Sequence, residues 1–160
     1  MSGARAEREQ ATYGHGLALD DGDLVLDAGR LQEIAGVAAL DQDLRLRLAT
    51  PLASDQLDVR YGLDLRDALT TGLPRHLAKE VLRLSIVRTI AGDPRVASIE
   101  RVLFDDDPAY LAAHPGAESA SGNRSALVEI TLTPVPLLPS VSEPDSFADS
   151  RVQILADVRW

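Results

Sequence analysis

The 160-residue chain has no cysteine, which excludes a disulfide scaffold, a thiol nucleophile and a Cys-ligated zinc site. Aromatic residues make up only 4%, so a core must be assembled from Leu, Val, Ile and Ala, and close packing has to replace large rings. Positive charge is in deficit. Sixteen Lys and Arg against 25 Asp and Glu leave a net charge of −9, which argues against nucleic acid as a partner, because a phosphate backbone requires clustered cations. No apolar run approaches the roughly 20 residues that span a bilayer, so no membrane partner is expected. The N-terminal "MSGARAEREQATYGHG" lacks the hydrophobic stretch of a secretory signal. The expectation is a soluble protein made and assembled in the cytoplasm.

Signs of catalysis are equally thin. His15, His76 and His114 fall in a turn, on a polar helix face and in a Gly/Ala/Ser loop, without metal-ligand spacing or a nearby nucleophile pattern. "DDDP" at 105–108 lacks the spacing and terminal Glu of a calcium loop and reads as a strand-end cap. No Gly-rich phosphate loop is present, and no cofactor or metal is expected. The chain reads as a non-enzyme. The alternative is a small acidic-site hydrolase, which would need a pocket with two converging carboxylates, one of them raised in pKa.

Residues 1–14 are small and charged and read as a flexible N-terminal arm. In "GLALDDGDLVLDAGRL", Leu17 and Leu19 alternate, Asp20-Asp21-Gly22-Asp23 has turn chemistry, and Leu24 and Leu26 alternate again, a hairpin signal with a second turn at Gly29. "GVAALDQDLRLRLATP" predicts a helix with Val37, Leu40, Leu44 and Leu48 on one face. Asp41–Arg45 and Asp43–Arg47 form i,i+4 pairs there, and Pro51 ends it. In "VRYGLDL", Gly62 after Tyr61 marks a backbone bend.

A long helix is predicted from Pro74 to Ala91. Its apolar residues switch sides midway, from Leu77, Ala78, Val81, Leu82 and Leu84 to Ile86, Val87, Ile90 and Ala91. Either different core elements cross its two ends, or one patch awaits a partner. Gly92 is placed as a C-cap and Pro94 prevents continuation. "VASIERVLF" is a predicted strand, 105–126 a mobile loop, and "ALVEITLT" a strand with Val128, Ile130 and Leu132 on one face. "PVPLLPSVSEPDS" reads as an extended spacer. The chain then ends on "RVQILADVRW", a strand able to return to its own sheet or to add to another chain's.

Taken in order, "DLVLDAGRLQEIAGVAALDQDLRLRLATP", "VRYGLDL" and the long helix ending in Asp93-Pro94-Arg95 before a strand resemble a known family. It is that of the baseplate wedge and sheath-initiator proteins of contractile phage tails and related injection systems, also called the lysozyme-like baseplate family. The likeness spans roughly Gly22 to Phe104. Three departures stand out: the triplet starts with Asp where the family has Glu, the turn after Thr50 lacks the usual glycine-and-charge signature, and 105–126 and 134–144 fall outside the common core.

The resemblance implies an α+β fold, with two main helices on a small, mainly antiparallel sheet and extended terminal arms. The expected division is an arm at 1–14, a wedge-like domain at 15–133, and a Pro-rich linker with terminal strand at 134–160. The implied role is structural: clasping the core bundle of larger baseplate wedge proteins and initiating the sheath. Implied partners are those wedge proteins, the sheath protein and tube-initiator proteins, with several copies per six-fold particle or virion. The candidate partner-binding residues are Asp93, Pro94 and Arg95 at the corner, Tyr61 and Gly62 at the bend, and Val152, Ile154, Ala156 and Val158 on the terminal strand. For the corner two readings stand open: charged hydrogen bonds to a partner's bundle, or an internal clasp tying the helix end to its own sheet.

Overall fold

The computed structural model describes residues 3–70, 72–116, 125–137 and 151–159. The stretch expected as an arm is instead helix α1 (Gly3–Tyr13). Ala, Glu, Gln and Arg are good helix formers, Arg5 and Glu9 pair across one turn at 3.0 Å, and Tyr13 anchors the end. Its ring is buried to 3% exposure and its hydroxyl donates to the Val135 carbonyl at 2.7 Å.

Six very short strands follow: β1 (His15–Leu17), β2 (Leu19–Asp20), β3 (Asp23–Leu24), β4 (Leu26–Asp27), β5 (Arg30–Leu31) and β6 (Glu33–Ala35). They pair antiparallel as β1–β6, β2–β3 and β4–β5. The loops Asp21-Gly22 and Ala28-Gly29 have positive φ at both positions (47° and 88°, 47° and 79°), as tight two-residue hairpins require. The three arms meet in a closed ring of backbone hydrogen bonds. Ala18 N–H donates to Gln32 (2.8 Å), Gln32 N–H to Val25 (2.9 Å) and Val25 N–H to Ala18 (3.0 Å). The result is a three-armed clover, and "LDDGDL" and "LDAGRL" are equivalent copies seven residues apart. Reading the alternation as one hairpin hides this repeat.

Helix α2 (Val37–Ala49) buries Ala39, Leu40, Leu44 and Leu48, following the predicted face. Its Gln42 side chain holds the clover, accepting from Leu19 N–H and donating to the Leu17 carbonyl, both at 2.8 Å. After the short α3 (Arg66–Thr70), α4 (Arg75–Ala91) begins one residue later than predicted, with Pro74 at the cap position in extended conformation. The swap of faces does not occur. Ala78, Leu82, Ile86 and Ile90 form one buried stripe that drifts by about 40° per step because four residues exceed one 3.6-residue turn. Leu77 and Leu84 stay exposed.

Strands β7 (Val96–Phe104), β8 (Ser125–Pro134) and β9 (Val152–Arg159) form an antiparallel sheet in the order β7-β8-β9. Between β7 and β8, α5 (Pro108–Ala113) occupies part of the expected loop. The rest of that loop, 117–124, and most of the expected spacer, 138–150, lie outside the described residues. Ala126, Val128, Ile130 and Leu132 of β8 and Val152, Ile154, Ala156 and Val158 of β9 are all buried on the face covered by α2 and α4. With Leu40, Leu44, Leu82, Ile86 and Phe104 they form one core, each large side chain contributing roughly 1.5–3 kcal/mol. The fold is α+β, as the sequence implies, with α2 and α4 on the sheet and α1 added beside α2.

Candidate functional site

At the end of α4, Gly92 N–H donates back to Arg88 (3.2 Å) and Asp93 N–H to Ile90 (3.1 Å), and Val96 N–H then donates to Asp93 (3.1 Å) as the chain turns into β7. Pro94 cannot donate in this turn and is exposed at its tip. The turn drives Asp93 inward to 6% exposure.

A buried carboxylate needs partners, and Arg95 supplies most of them. Its Nε and Nη2 donate to the two Asp93 carboxylate oxygens, each at 2.9 Å, and its amide donates to Oδ1 at 3.0 Å. Arg95 Nη1 reaches across to α1 and α2, donating to the Tyr13 carbonyl at 2.9 Å and to Asp43 at 2.8 Å. Arg47 of α2 adds a longer contact to Asp93 at 3.5 Å. Asp93 and Arg95 therefore make an internal clasp joining α1, α2, α4 and β7. Most of the guanidinium's five N–H donors are used within the chain.

The expected Asp43–Arg47 pair is replaced by these contacts, whereas Asp41–Arg45 forms as predicted at 3.0 Å. Asp43, Arg47 and Tyr13 were missed as members of the cluster. The i,i+4 spacing offered Asp43 and Arg47 an ordinary surface pairing, and the only hint for Tyr13 was an aromatic ring in an otherwise polar segment.

Burial by itself would raise the Asp93 carboxyl. The hydrogen bonds from the Arg95 side chain and amide, with the charges of Arg95 and Arg47, outweigh it and hold the group below its ordinary value of 3.8. Hydrogen bonding to Asp93 likewise raises the Arg95 guanidinium against the opposing effect of burial. A carboxyl depressed in the folded state contributes stability that is complete above its unfolded value and is lost as pH falls through the folded one. Denaturant titrations from pH 6 to pH 2 are therefore expected to show wild-type stability falling below about pH 4. Asp93→Asn, with no proton to take up at this position, falls less steeply over the same range. Parallel curves would assign the acid sensitivity to other carboxylates.

Tyr61 and Gly62 lie beside this clasp. The Arg47 guanidinium sits over the Tyr61 ring at 5.3 Å from its centroid, linking Tyr61 through Arg47 to Asp93. Gly62 has φ of 113° and passes against the backbone leaving α2; its carbonyl accepts from Thr89 Oγ1 at 3.4 Å. The structure thus gathers Tyr61, Gly62, Asp93, Pro94 and Arg95 into one region.

Val152, Ile154, Ala156 and Val158 are not part of that region, and their side chains fill the protein's own core. What β9 leaves open is backbone. Asp105 N–H donates to the Leu127 carbonyl (3.0 Å), so Leu127 faces β7, and N–H and C=O directions alternate along an antiparallel strand. Ala126, Val128, Ile130 and Leu132 then face β9 and meet Val158, Ala156, Ile154 and Val152. The backbone groups of Gln153 and Leu155 point the other way, to an edge that no strand pairs among the described residues.

A cleft of about 370 Å³ lies between the start of α4 and the turn after β7. Its acids are already paired: Asp106 with Lys79, Asp107 with Arg83 at 2.8 Å, and Glu80 with Arg83 at 2.7 Å. Asp107 also accepts from Phe104 N–H at 2.9 Å, the strand-end capping expected of "DDDP". This is a charge-balanced cluster, unlike a pair of carboxylates trading a proton. Among the described residues no His, Asp or Glu group is arranged to hold a metal ion, and no helix is long and apolar enough to cross a membrane.

A family model described as contractile injection system sheath initiator matches residues 16–112, more than half of the chain, spanning the clover, α2, the corner and β7. No curated protein matches the chain.

Proposed function

The chain belongs to the contractile injection system sheath-initiator family, and from that premise we propose that β9 is where the sheath begins. Its role is structural, within a phage-tail-like particle and in contact with sheath and baseplate components. In the finer reading, an extended arm of the first sheath subunit adds to the open edge of β9, so that the growing sheath copies the position of this protein. Strand addition draws its affinity from main-chain hydrogen bonds. It therefore needs an open backbone edge and not free apolar side chains, and the outward backbone groups of Gln153 and Leu155 are the observation that carries the reading.

The corner then serves the wedge. The Asp93–Arg95 clasp sets the positions of α1, α2 and β7, and the exposed rim at Pro94, with Tyr61 and the half-exposed Asp43 beside it, meets the helical core bundle of the larger wedge proteins. Assembly takes place in the cytoplasm, with several copies around a six-fold particle. Tube-initiator proteins are neighbours in the same assembly.

Leu155→Pro tests the edge. The substitution removes an N–H that faces away from β8, at an exposed position where an edge strand tolerates proline. The variant is expected to keep its fold by circular dichroism, yet to lose sheath seeding by purified sheath protein in electron micrographs. A folded variant that seeds as well as wild type would remove β9 from the proposal. Deleting 147–160 is a poorer test, because it also removes core side chains.

A further inference from the structure

Independently of the strand edge and the corner, we propose that His114 and Glu129 share one proton and form a pH-sensitive latch, which holds α5 on the outer face of the sheet. Val128 and Ile130 are buried in the core on the face covered by α2 and α4. Side chains alternate along a strand, so Glu129 between them lies on the opposite face, where Leu103 of β7 and Leu155 of β9 stand directly across from it. A carboxylate on an outer sheet face is ordinarily solvated, yet Glu129 is only 5% exposed. The cover comes from α5, whose terminating residue His114 brings Nε2 to 3.3 Å from Glu129 Oε2.

Hydrogen-bond geometry fixes the proton count. The other ring nitrogen, His114 Nδ1, lies 3.1 Å from the Tyr110 carbonyl. A carbonyl only accepts, so Nδ1 carries a hydrogen and donates it. In a neutral ring Nε2 then presents a lone pair to a carboxylate oxygen, acceptor against acceptor. That oxygen has no hydrogen-bond partner among the described residues, and a buried carboxylate oxygen left so is costly. One further proton, on Nε2 or on the carboxyl, turns the repulsion into a hydrogen bond. The buried Tyr110 ring stacks on the imidazole, with centroids 4.3 Å apart, and holds it in this orientation.

The other charged groups around the latch are few. Arg101 of β7 and Asp157 of β9 lie two residues along on the same face, and both are exposed. Asp105, two residues beyond Leu103, is buried and has a partner of its own. At the start of α5, Asp107 is paired with Arg83 of α4, and His76 lines the cleft beside it. The latch closes with its proton and opens without it, so the docking of α5 weakens as pH rises. Opening uncovers Glu129 and the neighbouring Leu103, against which α5 packs through β7.

The test follows the full-length protein by NMR from about pH 5 to pH 9. It reads solvent exchange, corrected for the pH dependence of a free amide, at Leu111 and His114, whose N–H groups donate to Asp107 and Tyr110 within α5. Their protection should fall as pH rises, approaching about tenfold per pH unit for the loss of one proton, while that of β8 stays constant. Glu129→Gln replaces the carboxylate with an amide that donates to a neutral Nε2, so α5 should stay closed and the pH response flatten. His114→Ala should leave α5 open at every pH, and His76→Gln should leave the wild-type response unchanged. Wild-type protection independent of pH, a response that survives in Glu129→Gln, or one that disappears in His76→Gln would each overturn the proposal. Should Glu129→Gln fail to fold, His114→Ala decides: a closed α5 that still opens with rising pH refutes the latch.

Discussion

Arg95→Ala is expected to lower the stability of the isolated protein by about 3 kcal/mol, read as a shift in denaturant midpoint. The loss arises chiefly from stranding Asp93, which keeps its buried position but retains only the residue-95 amide and the 3.5 Å contact with Arg47. The Tyr13 carbonyl and Asp43 lose their shared donor as well, so the α1 end should loosen first, with faster amide exchange at residues 10–14. The value sits at the low end for a broken buried pair because Arg95 itself is partly exposed. Arg95→Lys should recover only part of the loss, since a lysine offers Asp93 one point contact in place of two parallel bonds. Wild-type stability in Arg95→Ala, accompanied by lost wedge binding, would instead make Arg95 a contact for the partner and refute the clasp.

Gly62→Ala should cost still more, about 4 kcal/mol. At φ of 113° any side chain is strained, and an added Cβ would lie 2.5 Å from the Thr50 carbonyl oxygen and 2.8 Å from the carbonyl carbon and oxygen of Pro51. These are backbone atoms and cannot rotate aside. They are also held where the chain leaving α2 crosses the bend, through Leu63 N–H to Thr50 at 2.8 Å and Leu52 N–H to Leu63 at 3.0 Å. Relief therefore requires breaking that crossing, and the melting temperature should fall by about 10 °C. Tyr61→Ala offers the contrast: it removes the ring beneath Arg47 but leaves the crossing intact, so its loss should be the smaller of the two. A Gly62→Ala protein as stable as wild type would mean that the two segments can separate without loss.

Local chemistry was enough to read the stop of α2 at Pro51, the end of α4 at Gly92 and Pro94, and the alternation of β8. Each follows from interactions between near neighbours: a missing N–H, a favoured cap, or side chains falling on alternate faces. The bend at Gly62 was legible for the same reason, although the backbone it passes was not. The repeat within the clover was present in the sequence too, but two-residue strands leave too short an alternation to separate three arms from one hairpin.

Long-range pairing decided the rest. Asp43 had a suitable partner four residues away in Arg47, yet α4 and β7 bring Arg95 to it and Asp93 to Arg47, and the buried carboxylate has the greater need of cations. Tyr13 turns a polar N-terminal segment into a docked helix because the core and the Val135 carbonyl are there to receive it. For β9, the sequence by itself determined a strand with one apolar face. Only the tertiary structure decided that this face closes the protein's own core, leaving the backbone edge to the outside, because register and partner depend on which sheet edge lies within reach.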